Sequence, residues 1–181
     1  MRLLLGLISC LVLALCAGVF AHQQSQPDAC RFTVQGSAEQ PQISGPPDLV
    51  PLVYVIDQPD SPVEIASINL EGSWLSVSGD RYTERTCVKY QVRNRSDRVV
   101  QRVEVLLGYN GLIGAGASNS AAISPGQTAQ LIACPLGGSG DVRTNPLKIL
   151  ISVGPIAFDD CAFRPSVRVP LSLGIKPPWL W

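Results

Sequence analysis

The middle of the chain carries an alternating pattern of apolar and polar residues that limits the fold more than any other feature. Apolar Val88, Tyr90 and Val92 alternate with polar neighbours. Successive side chains of a β-strand point to opposite faces, so this pattern predicts a strand with one buried and one solvated face. Similar alternation over residues 99–109 and 129–133 predicts two more strands, and three strands that share an apolar face can be stable in water.

The rest of the chain also favours strands over helices. No stretch places apolar residues at helical spacing for three turns. Further strands are expected at 49–56, 63–70, 74–78, 147–153 and 167–173. Pro170 has no N–H group to donate, so the last of these is expected at a sheet edge or bulge. About eight strands at this spacing indicate an all-β, two-sheet antiparallel sandwich.

Glycine and proline mark the expected connections between these strands. The glycine-rich stretches 108–116 and 135–146, and residues 154–160, are expected to be loops. Ser124-Pro125-Gly126-Gln127 has proline at its second position and glycine at its third. A type II turn prefers this arrangement, so a turn is predicted before the strand at 129–133.

Three segments carry a more specific strand–turn–strand pattern. They are VRNRS at 92–96, VEVLLGYNG at 103–111 and ISPGQ at 123–127. In these residues the chain resembles the FxLYD-type modules of bacterial envelope proteins, with LLGYN at 106–110 departing from that family's Phe-x-Leu-Tyr-Asp signature. The resemblance implies an immunoglobulin-like, fibronectin III-like sandwich without enzymatic activity, and it carries over no binding residue.

The N-terminus has the features of a signal peptide, with an apolar run after Arg2 and small residues before a cleavage site at Ala21. The expected organisation is a signal peptide at 1–21, a Pro/Gln-rich segment at 22–48, a β-sandwich domain at 49–175 and an apolar tail at 176–181. A retained membrane anchor and a lipid-modified cysteine are the alternatives to cleavage. The sequence therefore predicts a secreted, periplasmic or extracellular protein that leaves the membrane once the signal is cleaved.

Removal of residues 1–21 leaves 13 basic and 14 acidic side chains, which gives a net charge of −1. This balance argues against nucleic acid as a partner. Four cysteines also remain, an even number that favours two disulfides in an oxidising compartment. Of the three possible connectivities, we expect Cys134–Cys161, which brackets the strand at 147–153, together with Cys30–Cys87.

Histidine is scarce, which argues against most catalytic sites. His22 is the only histidine, so a Ser-His-Asp or Cys-His site lacks its usual base in the body of the domain. No cofactor is expected. The alternative is a copper-binding protein or copper enzyme that uses His22 as its mature N-terminus, although no second histidine is present to complete the site.

Candidate binding residues lie on the polar faces of the central strands. Lys89 and Arg93 share one strand face, and Arg102 is expected on a neighbouring strand, where the three cations would bind an anionic glycan or an acidic partner. A solvated face that discourages aggregation explains the same residues.

Aromatic and acidic residues give weaker signals. The aromatic candidates for a sugar platform are Trp74, Tyr82, Tyr90 and Tyr109, of which Tyr90 fits the core better. The adjacent carboxylates Asp159 and Asp160 are expected in a turn.

The prediction is an exported, non-catalytic β-sandwich module that binds an envelope or extracellular protein or a glycan. A copper protein based on His22 and a structural subunit of a secreted assembly are the alternatives.

Overall fold

The computed structural model describes residues 30–109, 112–134, 137–144 and 146–166, with the side chains of all of these except 112–115. Within these ranges the chain forms twelve β-strands, one short 3-10 helix and no α-helix, which confirms the predicted all-β class. The 3-10 helix is Val50–Leu52, and the strands are β1 (Gln42–Ser44), β2 (Val53–Val55), β3 (Val63–Asn69), β4 (Trp74–Ser78), β5 (Arg81–Arg85), β6 (Val88–Asn94), β7 (Arg102–Tyr109), β8 (Leu112–Ser118), β9 (Thr128–Ala133), β10 (Gly138–Asp141), β11 (Ile149–Ala157) and β12 (Ala162–Phe163).

Two of the sheets share one hydrophobic core. The first sheet has the order β1-β3-β6-β9, with β1 parallel to β3 and the other neighbours antiparallel. The second has the order β12-β11-β7-β8, and β2 joins it parallel to β11. Alternate residues of both sheets enter the same core, where each fully buried Leu or Ile contributes roughly 1.5–3 kcal/mol. The first sheet supplies Val63, Ile68, Val88, Tyr90, Val92 and Leu131, and the second supplies Val103, Val105, Leu107, Ile149, Ile151 and Ile156.

The third sheet, β4-β5-β10, follows the first sheet along the chain, and its Tyr82 belongs to the same core. Buried residues alternate with more exposed ones without a break over 81–94, so β5 and β6 act as one long strand. Val88 of β6 pairs with Ala133 of β9, and Glu84 of β5 pairs with Gly138 of β10, so the two pairings follow each other along the same two segments of chain. Between these two pairs the β9–β10 segment has one residue more than the β5–β6 segment. Ser73 bridges the interruption between β3 and β4, because its Oγ accepts from the N–H of Cys87 (2.8 Å) and donates to that residue's carbonyl (2.9 Å).

Strands replace three of the predicted loops. Parts of 108–116 and 135–146 form β8 and β10, and β11 extends through Ala157 into the stretch 154–160. The glycines there meet close neighbours: a Cβ on Gly140 would lie 2.5 Å from the Tyr82 hydroxyl, and one on Gly154 would lie 2.9 Å from Leu106 Cγ. These glycines therefore mark tight packing between strands, and the local sequence does not distinguish that role from a loop.

The predicted turn at 124–127 is confirmed. Gln127 N donates to the carbonyl of Ser124 (3.0 Å), and Gly126 has φ of 73°. Glycine adopts that positive φ without steric cost, as the third position of a type II turn requires. The turn leads directly into β9.

The predicted disulfide pairing is wrong. The structure links Cys87 to Cys134 and Cys30 to Cys161, rather than Cys134 to Cys161 and Cys30 to Cys87. Cys87 precedes β6 and Cys134 follows β9, and the antiparallel pairing of these strands brings the two Cα atoms to 4.1 Å. Cys134 is then unavailable to Cys161, which bonds to Cys30 across 131 residues.

Part of the predicted N-terminal segment 22–48 belongs to the fold. β1 pairs with β3, and Val34 forms an isolated bridge with Ser96. Residues 1–21, the predicted strand at 167–173 and the tail at 176–181 lie outside the described residues. Across the part of the chain that the structure describes, no helix has the length and apolar character to span a membrane.

Candidate binding face

The solvated side of the long β5–β6 strand and its flanking strands forms a continuous surface, here called the outer face. Along the long strand it consists of Arg81, Thr83, Arg85, Cys87, Lys89, Gln91 and Arg93. Because the alternation over 81–94 keeps the other side in the core, the outer face is held rigidly by the packing beneath it. Serine, threonine and glutamine make up much of the remainder on the neighbouring strands.

Three apolar groups interrupt this hydrophilic surface. Trp74 is 45% exposed and stands beside Arg85 on the neighbouring strand. Ile132 is 59% exposed and stands beside Lys89. The Cys87–Cys134 disulfide lies between the Trp74–Arg85 pair and the Lys89–Ile132 pair. Strand and residue spacings place the Trp74 and Ile132 Cα atoms roughly 16 Å apart, so the three groups form one short apolar strip.

Two of the four cations along the long strand, Lys89 and Arg93, are paired with carboxylates. Lys89 Nζ lies 3.6 Å from Glu71, and Arg93 forms a 2.5 Å contact with the buried carboxylate of Glu64. Arg85 has no carboxylate partner in an ion pair within the described residues. Arg85 is therefore the cation beside Trp74 that remains available to a partner.

Asp141, which pairs with Arg81 at one end of the outer face, keeps its negative charge to low pH. Asp141 Oδ1 accepts from the backbone N–H groups of Thr144 (3.1 Å) and Arg143 (2.8 Å). These hydrogen bonds, in that order of importance, lower the pKa of Asp141. The charge therefore persists to lower pH than for an ordinary aspartate, at the far end from the apolar strip.

The predicted basic cluster is not one surface. Lys89 and Arg93 do share the outer face, as expected. Arg102 lies on β7, which belongs to the second sheet and pairs with β8 and β11. Arg102 also forms an ion pair with Glu104 at 2.9 Å. The expectation that Arg102 neighbours the other two cations is wrong, because the chain crosses between sheets after β6.

The aromatic candidates for a sugar platform are likewise separated. Tyr82 and Tyr90 are buried and Tyr109 is partly buried, which leaves Trp74 as the exposed one of the four. The role of Tyr90 in the core is confirmed. The sequence identified Trp74, and Arg85 as one of several basic residues, but it did not indicate Ile132 or place Arg85 beside Trp74, since their proximity depends on strand pairing.

Two tyrosine hydroxyls lie buried beneath the outer face. The Tyr90 hydroxyl has no hydrogen-bond partner among the described residues, and the Tyr109 hydroxyl lies close to the Thr86 side chain. Burial raises the pKa of Tyr90, and a smaller repulsion from Tyr109 adds to it. Burial likewise raises the pKa of Tyr109 to about 12. Both phenols are therefore neutral at physiological pH.

The remaining candidates for chemistry have structural partners. Asp159 and Asp160 both accept hydrogen bonds from Arg98, whose guanidinium lies 4.9 Å from the centre of the Phe158 ring. The carboxylate pair therefore anchors Arg98 beside the Cys30–Cys161 bond. All four cysteines in the described ranges form disulfides, and no group of three or more His, Cys, Asp or Glu side chains there is placed to hold a metal ion. His22 lies outside those ranges.

Comparison with protein-family models, with curated proteins and with solved structures finds no match for this chain. The resemblance to FxLYD-type modules stays a prediction from the segments 92–96, 103–111 and 123–127.

Proposed function

We propose that this chain is an exported, non-catalytic module with an immunoglobulin-like sandwich that binds a protein of the cell envelope or extracellular space through its outer face. The observation that carries the proposal is the apolar strip of Trp74, the Cys87–Cys134 disulfide and Ile132, together with Arg85, which forms no ion pair with a carboxylate of the described residues. A rigid sheet presents these groups to solvent in one place.

Strand order supports the immunoglobulin-like part of the proposal. The chain runs from β6 in the first sheet to β7 and β8 in the second, returns to β9 in the first, and ends with β11 and β12 in the second. Crossings of this kind between two mainly antiparallel sheets are the Greek-key connections of immunoglobulin-like sandwiches. Here the disulfide of the core strands joins β6 and β9 within one sheet, which differs from the inter-sheet bond of antibody domains.

Export is supported by the signal-like residues 1–21 and by the two disulfides. Disulfides persist in secreted and periplasmic proteins and are rare in a reducing cytosol.

A protein partner fits the outer face better than a glycan. Tryptophan and arginine are the residues that most often dominate the binding energy of protein interfaces, and Trp74 and Arg85 stand side by side. A glycan platform gains from several aromatic faces, whereas three of the four aromatic candidates are buried or partly buried. The paired cations on the same face also reduce its attraction for a polyanionic glycan.

The test compares capture of envelope and secreted proteins from the native host by four oxidised proteins. They are the unsubstituted chain and its Trp74→Ala, Ile132→Ser and Val77→Ser variants. Val77 is the matched control, since it is 56% exposed on the same strand as Trp74 and pairs with Tyr82 on the opposite side. A partner of the outer face should lose about 30-fold in affinity with Trp74→Ala, as for an interface hot spot.

The affinity for the same captured partner should change little with Val77→Ser. The proposal fails if the captured proteins bind the Trp74→Ala and Ile132→Ser variants as tightly as the unsubstituted chain. Selective retention on an array of glycans instead of proteins, abolished by Trp74→Ala, would show that the partner class is wrong.

A further inference from the structure

The two disulfides of the domain differ in how far a reagent can approach them. The Cys87–Cys134 bond lies on the outer face, where Cys134 is exposed and Cys87 is half-buried. Both cysteines of the Cys30–Cys161 bond are partly buried and pack against the hydrophobic core. A thiolate that opens a disulfide must reach one of the two sulfurs, so access favours reaction at Cys134.

Aromatic rings pack beside the less accessible bond. Phe32 and Phe163 each lie two residues after a cysteine of that bond, and their ring centres are 4.9 Å apart. Phe32 also stacks on Phe158 at 5.5 Å, and the N–H of Phe158 donates to the carbonyl of Cys161 (2.8 Å). These contacts hold Cys161 in a packed environment that hinders an incoming thiolate.

Carboxylates outnumber the cation that touches the Cys30–Cys161 bond. Arg98 Nη1 lies 3.8 Å from Cys161 Sγ, and Nη2 of the same side chain is bound by both Asp159 and Asp160. The next charges along these segments have opposite signs and are Arg31 and Asp97. The surroundings of this bond therefore disfavour both an approaching thiolate and a departing one.

Cations flank the Cys87–Cys134 bond instead. Arg85 and Lys89 lie two residues before and two residues after Cys87 on the outer face. Their Cα atoms are each roughly 7 Å from that of Cys87, within the Debye length of about 8 Å at physiological ionic strength. Cations at this range stabilise a thiolate, which is the form in which a cysteine leaves a disulfide.

The carboxylates near these cations do not cancel them. Glu71 lies 3.6 Å from Lys89 Nζ, but its side chain is 76% exposed, and exposed ion pairs are weak. Glu84 is buried on the core side of β5, where it accepts from Thr86 Oγ1 (2.6 Å) and from the N–H of Gly138 (2.9 Å). Positive charge therefore predominates on the outer side of the bond.

We propose that the Cys87–Cys134 disulfide is a thiol-exchange site for dithiol reductants, whereas Cys30–Cys161 is a structural bond that stays closed. A thiolate of the dithiol attacks Cys134 Sγ and forms a mixed disulfide with it. The bonding electron pair leaves with Cys87 Sγ, which departs as a thiolate between Arg85 and Lys89.

The second thiol of the reductant completes the exchange. As a thiolate, it attacks the reductant's own sulfur in the mixed disulfide and releases Cys134 as a thiolate. The dithiol ends as a disulfide, and Cys87 and Cys134 end as thiols that have taken up its two electrons and two protons. The site is thus reduced without any change at Cys30–Cys161.

The sheet has other contacts that hold it together when this bond is open. β6 and β9 pair over six consecutive residues of each strand, 88–93 and 128–133. Ser73 Oγ also accepts from the N–H of Cys87 (2.8 Å) and donates to its carbonyl (2.9 Å). The two thiols therefore stay opposite each other, and an oxidant can close the bond again.

The first test follows reduction of the oxidised full chain by dithiothreitol at pH 7 without denaturant. Samples are alkylated at intervals, and peptide mapping assigns every labelled cysteine, including Cys10 and Cys16. Labelling at Cys87 and Cys134 should be about 10-fold faster than at Cys30 and Cys161, in proportion to the dithiothreitol concentration. Equal rates at the two bonds, or faster opening of Cys30–Cys161, would overturn the proposal. A rate independent of dithiothreitol would also overturn it, by showing that the bond reacts only after the protein unfolds.

The second test removes one cation at a time. Arg85→Gln and Lys89→Gln should each slow the reduction of Cys87–Cys134 about threefold, as expected for one charge roughly 7 Å away in a largely aqueous setting. Arg81→Gln is the matched control, since Arg81 lies on the same face roughly 20 Å from Cys87, and it should change the rate little. Urea unfolding of the oxidised variants identifies any loss of stability. Equal rates for all three variants and the unsubstituted chain would overturn the role of the flanking cations.

The third test uses reduced glutathione, whose single thiol cannot complete the exchange within one molecule. Rapid alkylation should trap an adduct in which glutathione is on Cys134 and the alkyl group is on Cys87. Glutathione found mainly on Cys87 would overturn the assigned direction of attack.

Discussion

Removal of each disulfide separately gives the sharpest test of the observed connectivity. The double substitutions Cys30→Ser/Cys161→Ser and Cys87→Ser/Cys134→Ser each delete one bond and leave the other intact. The bonds close loops with sequence separations of 131 and 47 residues. Loop-closure entropy of the unfolded chain then predicts losses of about 5 and about 4 kcal/mol respectively.

Losses of this size are large against the roughly 5–15 kcal/mol that stabilises a typical domain. At an m-value of about 2 kcal/mol/M, each variant should unfold at least 2 M earlier in urea than the intact protein. Equilibrium unfolding followed by tryptophan fluorescence measures the shift, since Trp74 lies beside the junction of the two sheet segments. A shift below about 0.5 M for either variant would contradict the entropic reasoning.

Thiol counting separates the observed pairing from the one predicted from sequence. In protein without residues 1–21, and therefore without Cys10 and Cys16, Cys30→Ser/Cys161→Ser should contain no free thiol. Cys30→Ser/Cys87→Ser should contain two, because it deletes one partner from each bond. Two free thiols in the first variant and none in the second would refute the connectivity.

Three further predictions concern residues beneath the outer face. Tyr90→Phe should leave stability unchanged or raise it by up to about 1 kcal/mol in urea unfolding, because the buried hydroxyl has no hydrogen-bond partner among the described residues. A loss above about 1 kcal/mol would contradict this. Gly140→Ala should cost about 1–3 kcal/mol by thermal unfolding, since its Cβ would meet the Tyr82 ring, whereas Ser139→Ala next to it should cost little. The pKa of Tyr109 is about 12 in the folded protein, above its value in the unfolded chain. The contribution of this shift to the free energy of unfolding is therefore complete below pH 10 and is lost between pH 10 and 12. Absorbance titration should show a phenol that ionises at unusually high pH, and Tyr109→Phe should remove it.

Much of the fold could be predicted from the alternation of apolar and polar residues, because this pattern depends only on the polarity of each residue. The strands β3, β4, β6, β7 and β9 all fall where the period-two pattern predicts them. The glycine-rich strands β8 and β10 escaped prediction, since the reason for their glycines is a neighbour such as Tyr82 on another strand. Long-range packing of this kind leaves no local signal in the sequence.

Pairing between strands explains the errors at the candidate site and in the disulfides. Whether Cys87 meets Cys134 depends on β6 lying beside β9, and these strands are separated by both strands of the second sheet's hairpin. The same crossing between sheets separates Arg102 from Lys89. It also places Ile132 next to Lys89. Sequence identified Trp74 as a candidate, but only the sheet order shows which residues surround it.

The Cys30–Cys161 bond has a mechanical consequence. Tension applied between the chain before residue 30 and the chain after residue 161 passes through the sulfur–sulfur link. The 130 residues between the two cysteines are thereby bypassed, so they carry no load and cannot be drawn out. Under oxidising conditions the domain would act as an inextensible coupling whose sheets keep their shape while the segments on either side are stretched.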